Sequence, residues 1–381
     1  MFTSLLDRTT LKLQTCLEKV EVNLGLIGTG ICVSLLLLLL ASLYCAPALE
    51  LVNHGLDYGR LAMDPLDLQS GNRFQYRIVT PLLGFLMFMR GQAFIVVPLL
   101  FSVALVATIY WHYRRSNIDA FSVLCICCLI AFSSPLLFTL HFAGYVDTTS
   151  YFLLFLCYIM RRQPIWVGLC YALALLNHES NIFAFPWLIL LAGYNTESSI
   201  AHYLRIAGAT LIAFLPFLLF RYIFRDTEEA MQLGFFLNKG NVSDSVLLQY
   251  DHLLYGIFQG FKLFWCIPVV AALLALRKQE YHTATLITCI IACAGLQLFF
   301  ASDTSRLVGL AFPAVLIGAQ EIARSLGHVI FRRTLCLLIT INLLVPQAFV
   351  GVGIVIPFYS LPVALYLKYH MGIDVWETAW I

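Results

Sequence analysis

The chain has 381 residues, of which 61% are hydrophobic and 12% charged, with a formal net charge of +2 and a mean hydropathy of +0.86. That balance excludes an ordinary soluble domain, and basic residues scattered as short pairs exclude a nucleic-acid-binding face. At about 20 residues per crossing, a chain of this length holds about eleven membrane-spanning helices and leaves no room for a soluble domain.

The apolar runs are too long and too continuous for barrel strands, which alternate. Lipid offers backbone groups no partner outside helices and closed barrels. The expected fold class is therefore an all-α polytopic membrane protein with about 11 transmembrane helices. Residues 1–22 form a mixed-charge leader with Arg8, Lys12 and Lys19, read as cytoplasmic. The first span, Asn23–Ala48, lacks a clean small-residue cleavage site and is read as retained. The membrane domain is expected over 23–356, with a first external loop at 49–91. Within that loop Ile78–Met89 is apolar but short, so it is expected to lie at the interface or re-enter.

With that segment kept outside, the following spans are Gln92–His112, Ile118–Leu140, Val146–Met160, Ile165–Leu176, Asn181–Gly193 and Arg205–Phe224. After them come Leu253–Leu276, Thr283–Phe300, Leu307–Ile322 and Thr334–Ile356. Under this count Arg114-Arg115, Arg161-Arg162, Arg277-Lys278 and Arg332-Arg333 all fall on one side, which the positive-inside rule makes cytoplasmic. A second external loop, 225–252, has an apolar middle at Phe235–Leu237 that suits a lid. It also holds Asn241-Val242-Ser243, a glycosylation triplet common by chance. Residues 357–381 are expected as an external tail. The twelve cysteines, Cys125, Cys127 and Cys128 among them, lie almost wholly inside spans and read as small apolar residues. No internal repeat is evident.

The polar residues that remain gather on the other side. In the first loop stand Asp57, Asp64, Asp67, Tyr76 and Arg77. A carboxylate there can deprotonate a hydroxyl or hold a metal bound to phosphate, and an arginine can grip phosphate through paired hydrogen bonds; a solvated loop would look the same. Asp147 opens a span, where capping alone explains an acid. Asn177-His178-Glu179-Ser180 interrupts an apolar stretch. An ionised side chain within a span costs about 2.5–3.5 kcal/mol, so such residues face a cavity or a partner. Asp303 and Arg306 are spaced to pair on one helical turn, and Lys262, inside a span, either faces a cavity or snorkels.

At this point the chain resembles the GT-C superfamily of polyprenyl-phosphate-sugar-dependent glycosyltransferases, over roughly residues 23–322. The resemblance rests on an acidic first external loop with Asp57-Tyr58 and Asp64-Pro65. It rests also on Phe74-Gln75-Tyr76-Arg77-Ile78-Val79-Thr80-Pro81-Leu82-Leu83, which is similar to the family's Phe-x-Tyr-Arg-x-Leu-x-Pro-Leu-Leu. His178-Glu179 stands where members carry a basic-acidic pair seven residues before a proline, here Pro186, and Arg306 with Pro313 stands for the late arginine. The acidic doublet of the first loop is missing, which leaves the base open between Asp57 and Asp64, and no large C-terminal domain follows.

The resemblance implies a GT-C-like core and an enzyme that moves a sugar from a polyprenyl-phosphate donor to a glycan, lipid or protein acceptor, with inversion. It places the active site at the extracytoplasmic face, with a bacterial inner membrane expected. Asp57 or Asp64 is the expected base, and Arg77 and Arg306 would bind the donor phosphate. His178, Glu179, Asp147, Tyr76 and Asp303 would position sugar or acceptor. No cofactor is required; a divalent metal (Mg or Mn) is compatible, and no residue is assigned as a metal ligand. Alternative readings are a lipid-linked substrate transporter or flippase, a polysaccharide polymerase or ligase, and a non-catalytic assembly subunit. A transporter predicts midplane charges and broken-helix repeats, which this sequence lacks.

Overall fold

The computed structural model describes residues 2–67, 72, 74–195, 199–223, 249–301, 303–351 and 353–375, and over them the protein is nearly all helix. The expected lid at Phe235–Leu237, the Asn241–Ser243 triplet and the end of the C-terminal tail lie outside the described residues.

In chain order the helices are α1 (Phe2–Tyr44), α2 (His54–Leu61), α3 (Val79–Leu86), α4 (Gly91–Arg115), α5 (Ala120–Ala131) and α6 (Ser134–His141). Next come α7 (Asp147–Ile159), α8 (Pro164–Asn177), α9 (Glu179–Leu191), α10 (Ile200–Ile223), α11 (Tyr250–Arg277) and α12 (Tyr281–Phe299). The last are α13 (Thr304–Ser325), α14 (His328–Leu344) and α15 (Leu361–Met371). Within α1, Gly25 has φ 70°, a left-handed value that glycine adopts without a Cβ clash, and the helix breaks there.

Among the described residues six helices are long and apolar enough to cross a membrane: α4, α10, α11, α12, α13 and the Thr9–Tyr44 part of α1. The bent pair α5–α6, angled at 52°, makes a seventh if it is one span. The protein therefore has the helices of a multi-pass membrane protein, but length alone does not reach eleven. The expected spans at α7 and α8 have 13 and 14 residues, about 20 Å at the helical rise, against about 30 Å of hydrocarbon. The segment around Ile78–Met89 forms α3, 8 residues long, too short to cross. The expected last span also ends early. Val345 is extended at φ −85°, ψ 119° because Pro346 follows and disfavours the helical region. A hairpin then pairs β1 (Ala348–Gly351) with β2 (Ile354–Pro357), Ala348 opposite Pro357 and Gly351 opposite Ile354.

Four helices share one device. α4, α9, α11 and α13 each carry a 3-10 turn just before a proline in the first turn of regular α-helix: Pro98, Pro186, Pro268 and Pro313. Proline lacks the N–H and crowds the carbonyl four residues back, so the preceding turn tightens. The charged residues Glu179, Lys262 and Arg306 stand at or just ahead of three of these tightened turns.

The bundle has two chemically distinct ends. At one, Arg114 Nε bonds Glu21 at 2.5 Å, Arg332 lies 3.2 Å from Asp119 and Lys278 Nζ donates to Ser325 at 2.7 Å. Arg161 donates to the Tyr194 carbonyl at 3.2 Å at the same end. α7 leads away from Asp147 toward Arg161, α8 returns to Asn177, and α9 departs again at Glu179, so these acids collect at the opposite end. α13 is central. Its most apolar stretch is 94% buried, against 22% for α10, whose surface is left for lipid.

Lys262 neither faces a cavity nor snorkels. It is 1% exposed, and its Nζ donates to Tyr44 Oη at 3.0 Å and to the carbonyls of Asn342 and Val345 at 2.9 and 3.0 Å. It thus caps the C-terminal end of α14, where carbonyls lack intrahelical partners. Its own backbone, at φ 49°, is held in a region costly for a side-chain-bearing residue. Replacing Lys262 by Met takes the donor from the buried Asn342 carbonyl and leaves the Val345 carbonyl with Tyr44 Oη alone, which should lower unfolding free energy by about 1–3 kcal/mol. Thermal unfolding of the purified variant in detergent checks this; an unchanged midpoint refutes the cap.

Candidate functional site

The loop after α2 turns back on itself before α3. Asn72 starts the turn, accepting from Phe74 N–H at 2.9 Å and donating to the Asp57 carbonyl at 2.8 Å. Arg77 N–H closes it onto the Phe74 carbonyl at 2.8 Å, and Ile78 N–H donates to the Leu176 carbonyl at 2.9 Å. Arg77 is thereby pushed inward beside the α8–α9 corner. Its Nε donates to Glu179 Oε2 at 2.8 Å while Nη2 donates to Oε1, and Nη1 donates to Tyr58 Oη. The guanidinium also lies 4.5 Å from the Phe74 ring centroid. Arg221, near the end of α10, brings Nη2 to 4.0 Å from Glu179 Oε2 and stacks 4.0 Å over Tyr76.

The corner itself is fixed by two buried asparagines. Asn177 accepts from Thr80 N–H and Oγ1 at 3.2 and 2.5 Å, and donates to the Val146 carbonyl and Ser150 Oγ, both at 2.9 Å. Asn181 donates to Ser150 Oγ at 2.9 Å and to the carbonyls of Ala174 and His178 at 2.7 and 2.9 Å. The start of α3, the start of α7 and the α8–α9 corner are therefore one rigid unit. Between the asparagines, His178 is buried. Its Nδ1 accepts from Ser180 N–H at 3.2 Å and lies 2.8 Å from Ser180 Oγ. Burial first, and then the Arg77 guanidinium, hold its pKa well below that of an ordinary histidine. Burial likewise raises the Tyr58 hydroxyl well above its usual value, so it stays protonated.

A second cluster abuts the first. Arg306 Nη1 lies 2.9 Å from Asp303 Oδ2, and its Nε lies 3.7 Å from Asp147 Oδ1. The rings of Phe138 and Tyr145 stand 5.6 and 5.4 Å from the guanidinium. The hairpin holds this arginine's segment: Val350 N–H donates to Ser305 Oγ at 2.9 Å, and Ser134 Oγ donates to the Ser305 carbonyl at 2.7 Å. Tyr58 lies within electrostatic reach of both Arg77 and Asp147, and His178 of both Arg77 and Arg306. The Asn177 bond to the Val146 carbonyl, next to Asp147, and the contacts of His54 with both Phe74 and Tyr145 set the two clusters side by side.

Asp57 lies at its edge. On the first turn of α2, its Oδ2 is 3.8 Å from His54 Nδ1, with the side chain 23% exposed. His54 packs against Phe74 and Tyr145 at 4.8 and 5.5 Å, and Tyr58 stacks on Phe74 at 5.0 Å. α2 sits this close because Gly55 packs on the Ala143–Gly144 backbone; a Cβ at Gly55 would collide with the Ala143 carbonyl.

Of the residues singled out in the sequence, Tyr76, Arg77, His178 and Glu179 meet in the first cluster and Asp147, Asp303 and Arg306 in the second. Asp57 borders them. Asp64 is exposed in the turn after α2, and no ion pair joins it to either arginine among the described residues. Sequence reasoning missed Tyr58, Arg221, Asn181 and Thr80. Arg221 interrupts the apolar run Phe214–Ile223, and Asn177 and Asn181 sit one helical turn apart in another. Both are polar interruptions of the kind that marked Glu179. Among the described residues no three His, Cys, Asp or Glu side chains gather as a metal site. No family model, curated protein or solved structure matches the chain.

The Arg77–Glu179 pair has side chains only 7% and 13% exposed. Removing one partner strands the other charge, so Arg77→Met or Glu179→Leu should each cost about 3–5 kcal/mol. The double variant should recover much of that loss. Thermal unfolding of all four proteins gives the cycle, and strictly additive losses would refute the coupling.

Proposed function

We propose that this protein is a membrane glycosyltransferase of the GT-C kind, transferring a sugar from a polyprenyl-phosphate donor to an acceptor hydroxyl. One observation carries the reading. Arginines and carboxylates from positions 77 to 306 converge on one end of an apolar bundle, opposite the end that gathers the basic pairs. By the positive-inside rule the basic end is cytoplasmic, which puts the site at the extracytoplasmic face, the periplasmic side in a bacterial inner membrane. The helices leave apolar surface beside it for a lipid tail.

In this reading Asp57, oriented by His54 and partly open to water, takes the proton from the acceptor hydroxyl. The oxygen attacks the anomeric carbon, the bond to the phosphate oxygen breaks with inversion, and the lipid phosphate leaves. The charge on that leaving group is met by preorganised guanidinium groups, which are effective where water is scarce. Arg306 fits this role, since its carboxylate partners can yield to a phosphate. Arg77 is fully engaged with Glu179 and Tyr58 and contributes field and rigidity. Glu179, Asp147, Tyr76 and Asp303 would position sugar and acceptor. Asp64 is the second candidate for the base, and a Mg or Mn ion on donor phosphate is compatible with the carboxylates.

The test is transfer from a panel of polyprenyl-phosphate sugars by the purified protein, read as release of lipid phosphate. Asp57→Asn should lower kcat by about 10²–10⁴-fold, and Arg306→Gln by about 10²–10³-fold. Asp57→Asn should keep the wild-type unfolding midpoint within a few degrees, whereas Arg306→Gln strands Asp303 and Asp147 and is therefore assayed below its own, lower midpoint. Turnover that survives Asp57→Asn and disappears in Asp64→Asn would reassign the base. Absence of turnover with every donor would overturn the reading.

A further inference from the structure

The end of the bundle opposite the site holds a cleft of about 480 Å³, lined by Glu18, Arg114, Asn117, Asp119 and Arg332, a volume within the range of small-ligand sites. α5 packs against both α1 and α14, and the cleft lies at its first turn. There Asp119 accepts from Ser122 N–H and Oγ at 2.9 and 2.6 Å. Arg114 is fully engaged: Nε and Nη2 bond Glu21 at 2.5 and 2.6 Å, and Nη1 donates to the Ile118 carbonyl at 2.7 Å. Glu18 is steadied by Gln14 Nε2 at 2.8 Å. Arg332 is less well satisfied. Its Nη2 lies 3.2 Å from Asp119 Oδ1, but its Nε–H is buried and, among the described residues, has no acceptor. Buried donors in native proteins are almost always bonded, so this one calls for an acceptor from outside the chain.

The lining says what that acceptor belongs to. Two carboxylates and two guanidiniums surround the cleft, so their charges cancel. A bare anion on Arg332 would meet Asp119 on the same guanidinium and Glu18 in the same cleft, and a bare cation would meet both arginines. Each juxtaposes like charges, which is costly. A ligand that carries both signs a few ångströms apart satisfies both sets. Its positive part needs N–H donors, because carboxylates accept hydrogen bonds. A quaternary ammonium is held instead by aromatic faces, and no aromatic residue lines this cleft.

The level of the cleft points to a lipid. Arg115, next to Arg114, stacks on Trp111 at 4.8 Å, and basic and tryptophan side chains of this kind collect at the headgroup level of a bilayer. Leu24, Ile27 and Ile31 of α1 and Leu337 of α14 are exposed, so both flanking helices leave apolar surface for acyl chains. Basic pockets between membrane helices are known seats for lipid headgroups. We infer that the cleft binds the headgroup of a phospholipid with a primary ammonium, of the phosphatidylethanolamine class, from the leaflet at the basic end of the bundle. A phosphate oxygen takes the Arg332 Nε–H, and the ammonium lies against Glu18. Arg114 and Asp119 are the fixed frame around them. The inference is independent of the transferase reading, since cleft and site stand at opposite ends of the bundle.

Native mass spectrometry of the full-length protein released from detergent measures binding of short-chain phosphatidylethanolamine, phosphatidylcholine and phosphatidylglycerol, and of soluble O-phosphoethanolamine. Wild type should hold phosphatidylethanolamine about 10-fold more tightly than either other lipid. Glu18→Gln should weaken phosphatidylethanolamine about 10-fold and leave phosphatidylglycerol within about 3-fold, so that the preference disappears. A purely structural role for Glu18 would weaken both lipids alike and leave the preference in place. Arg332→Lys keeps a charge beside Asp119 and removes Nε–H; it should weaken phosphatidylethanolamine about 10-fold. O-phosphoethanolamine, which buries no chain, should bind about 100-fold more weakly than the lipid. Equal binding of the three lipids by wild type, or a preference that survives both substitutions, overturns the inference. Binding of O-phosphoethanolamine as tight as that of the lipid overturns the membrane source and reassigns the cleft to a soluble amine phosphate.

Discussion

Everything at the polar end of this protein is organised around the contact between Arg77 and Glu179. Two opposite charges are taken almost fully out of water, a step that costs several kcal/mol per ion unless geometry and further hydrogen bonds compensate. Here they do: the pair is bidentate, Tyr58 takes the remaining edge of the guanidinium, and Arg221 approaches the carboxylate from a third helix. Four segments that are remote in sequence must be in place at once for that arrangement to exist. The first loop packs on the α8–α9 corner, and α10, which lies against α8 and α9 through Phe214, brings Arg221 to the same carboxylate. A charged pair that looks expensive in isolation thus becomes a condition on the whole polar end.

The asparagines complete the constraint with neutral groups. Asn177 and Asn181 use their amide donors and one carbonyl on backbone and hydroxyl partners from α3, α7 and α8. Such networks inside a membrane protein gain modest energy per bond, commonly below 2 kcal/mol, but they are directional and leave a single arrangement. The division of labour between the arginines follows. Arg77 is immobilised by acceptors on every side, whereas Arg306 is paired closely with Asp303 along one edge, at 2.9 Å, and only loosely with Asp147 along the other, at 3.7 Å.

Much of this was legible in the sequence, for identifiable reasons. Arg114, Arg161, Arg277 and Arg332 mark one end because the cost of charge in lipid is imposed residue by residue, with no need of tertiary structure. Glu179 stood out for the same reason, and Arg306 for its spacing from Asp303. Ile78–Met89 was recognisable as too short to cross. The number of crossings was less legible: the expected spans Val146–Met160 and Ile165–Leu176 were about as short as Ile78–Met89, and α7 and α8 indeed have only 13 and 14 residues, so apolarity was counted where length argued against a full crossing. The hairpin was hidden by its own composition, because Ala348–Pro357 is as apolar as the helix before it, and only Pro346 signals the change. Pairings such as Arg77 with Glu179, or Asn177 with Thr80, depend on how the helices lean together, which no local pattern encodes.

The hairpin also acts as a depth marker. Along its inner strand Ala348 and Val350 give their N–H groups to Gln259 and Ser305, so that edge of the ribbon is closed by the protein. The outer strand is largely exposed, and an open strand edge in hydrocarbon would leave backbone groups with no partner at several kcal/mol each. Among the described residues nothing covers that outer edge, which suits a position outside the hydrocarbon. Because Gly351 packs directly on Asp303, the acid beside Arg306 is held at the same level as the hairpin.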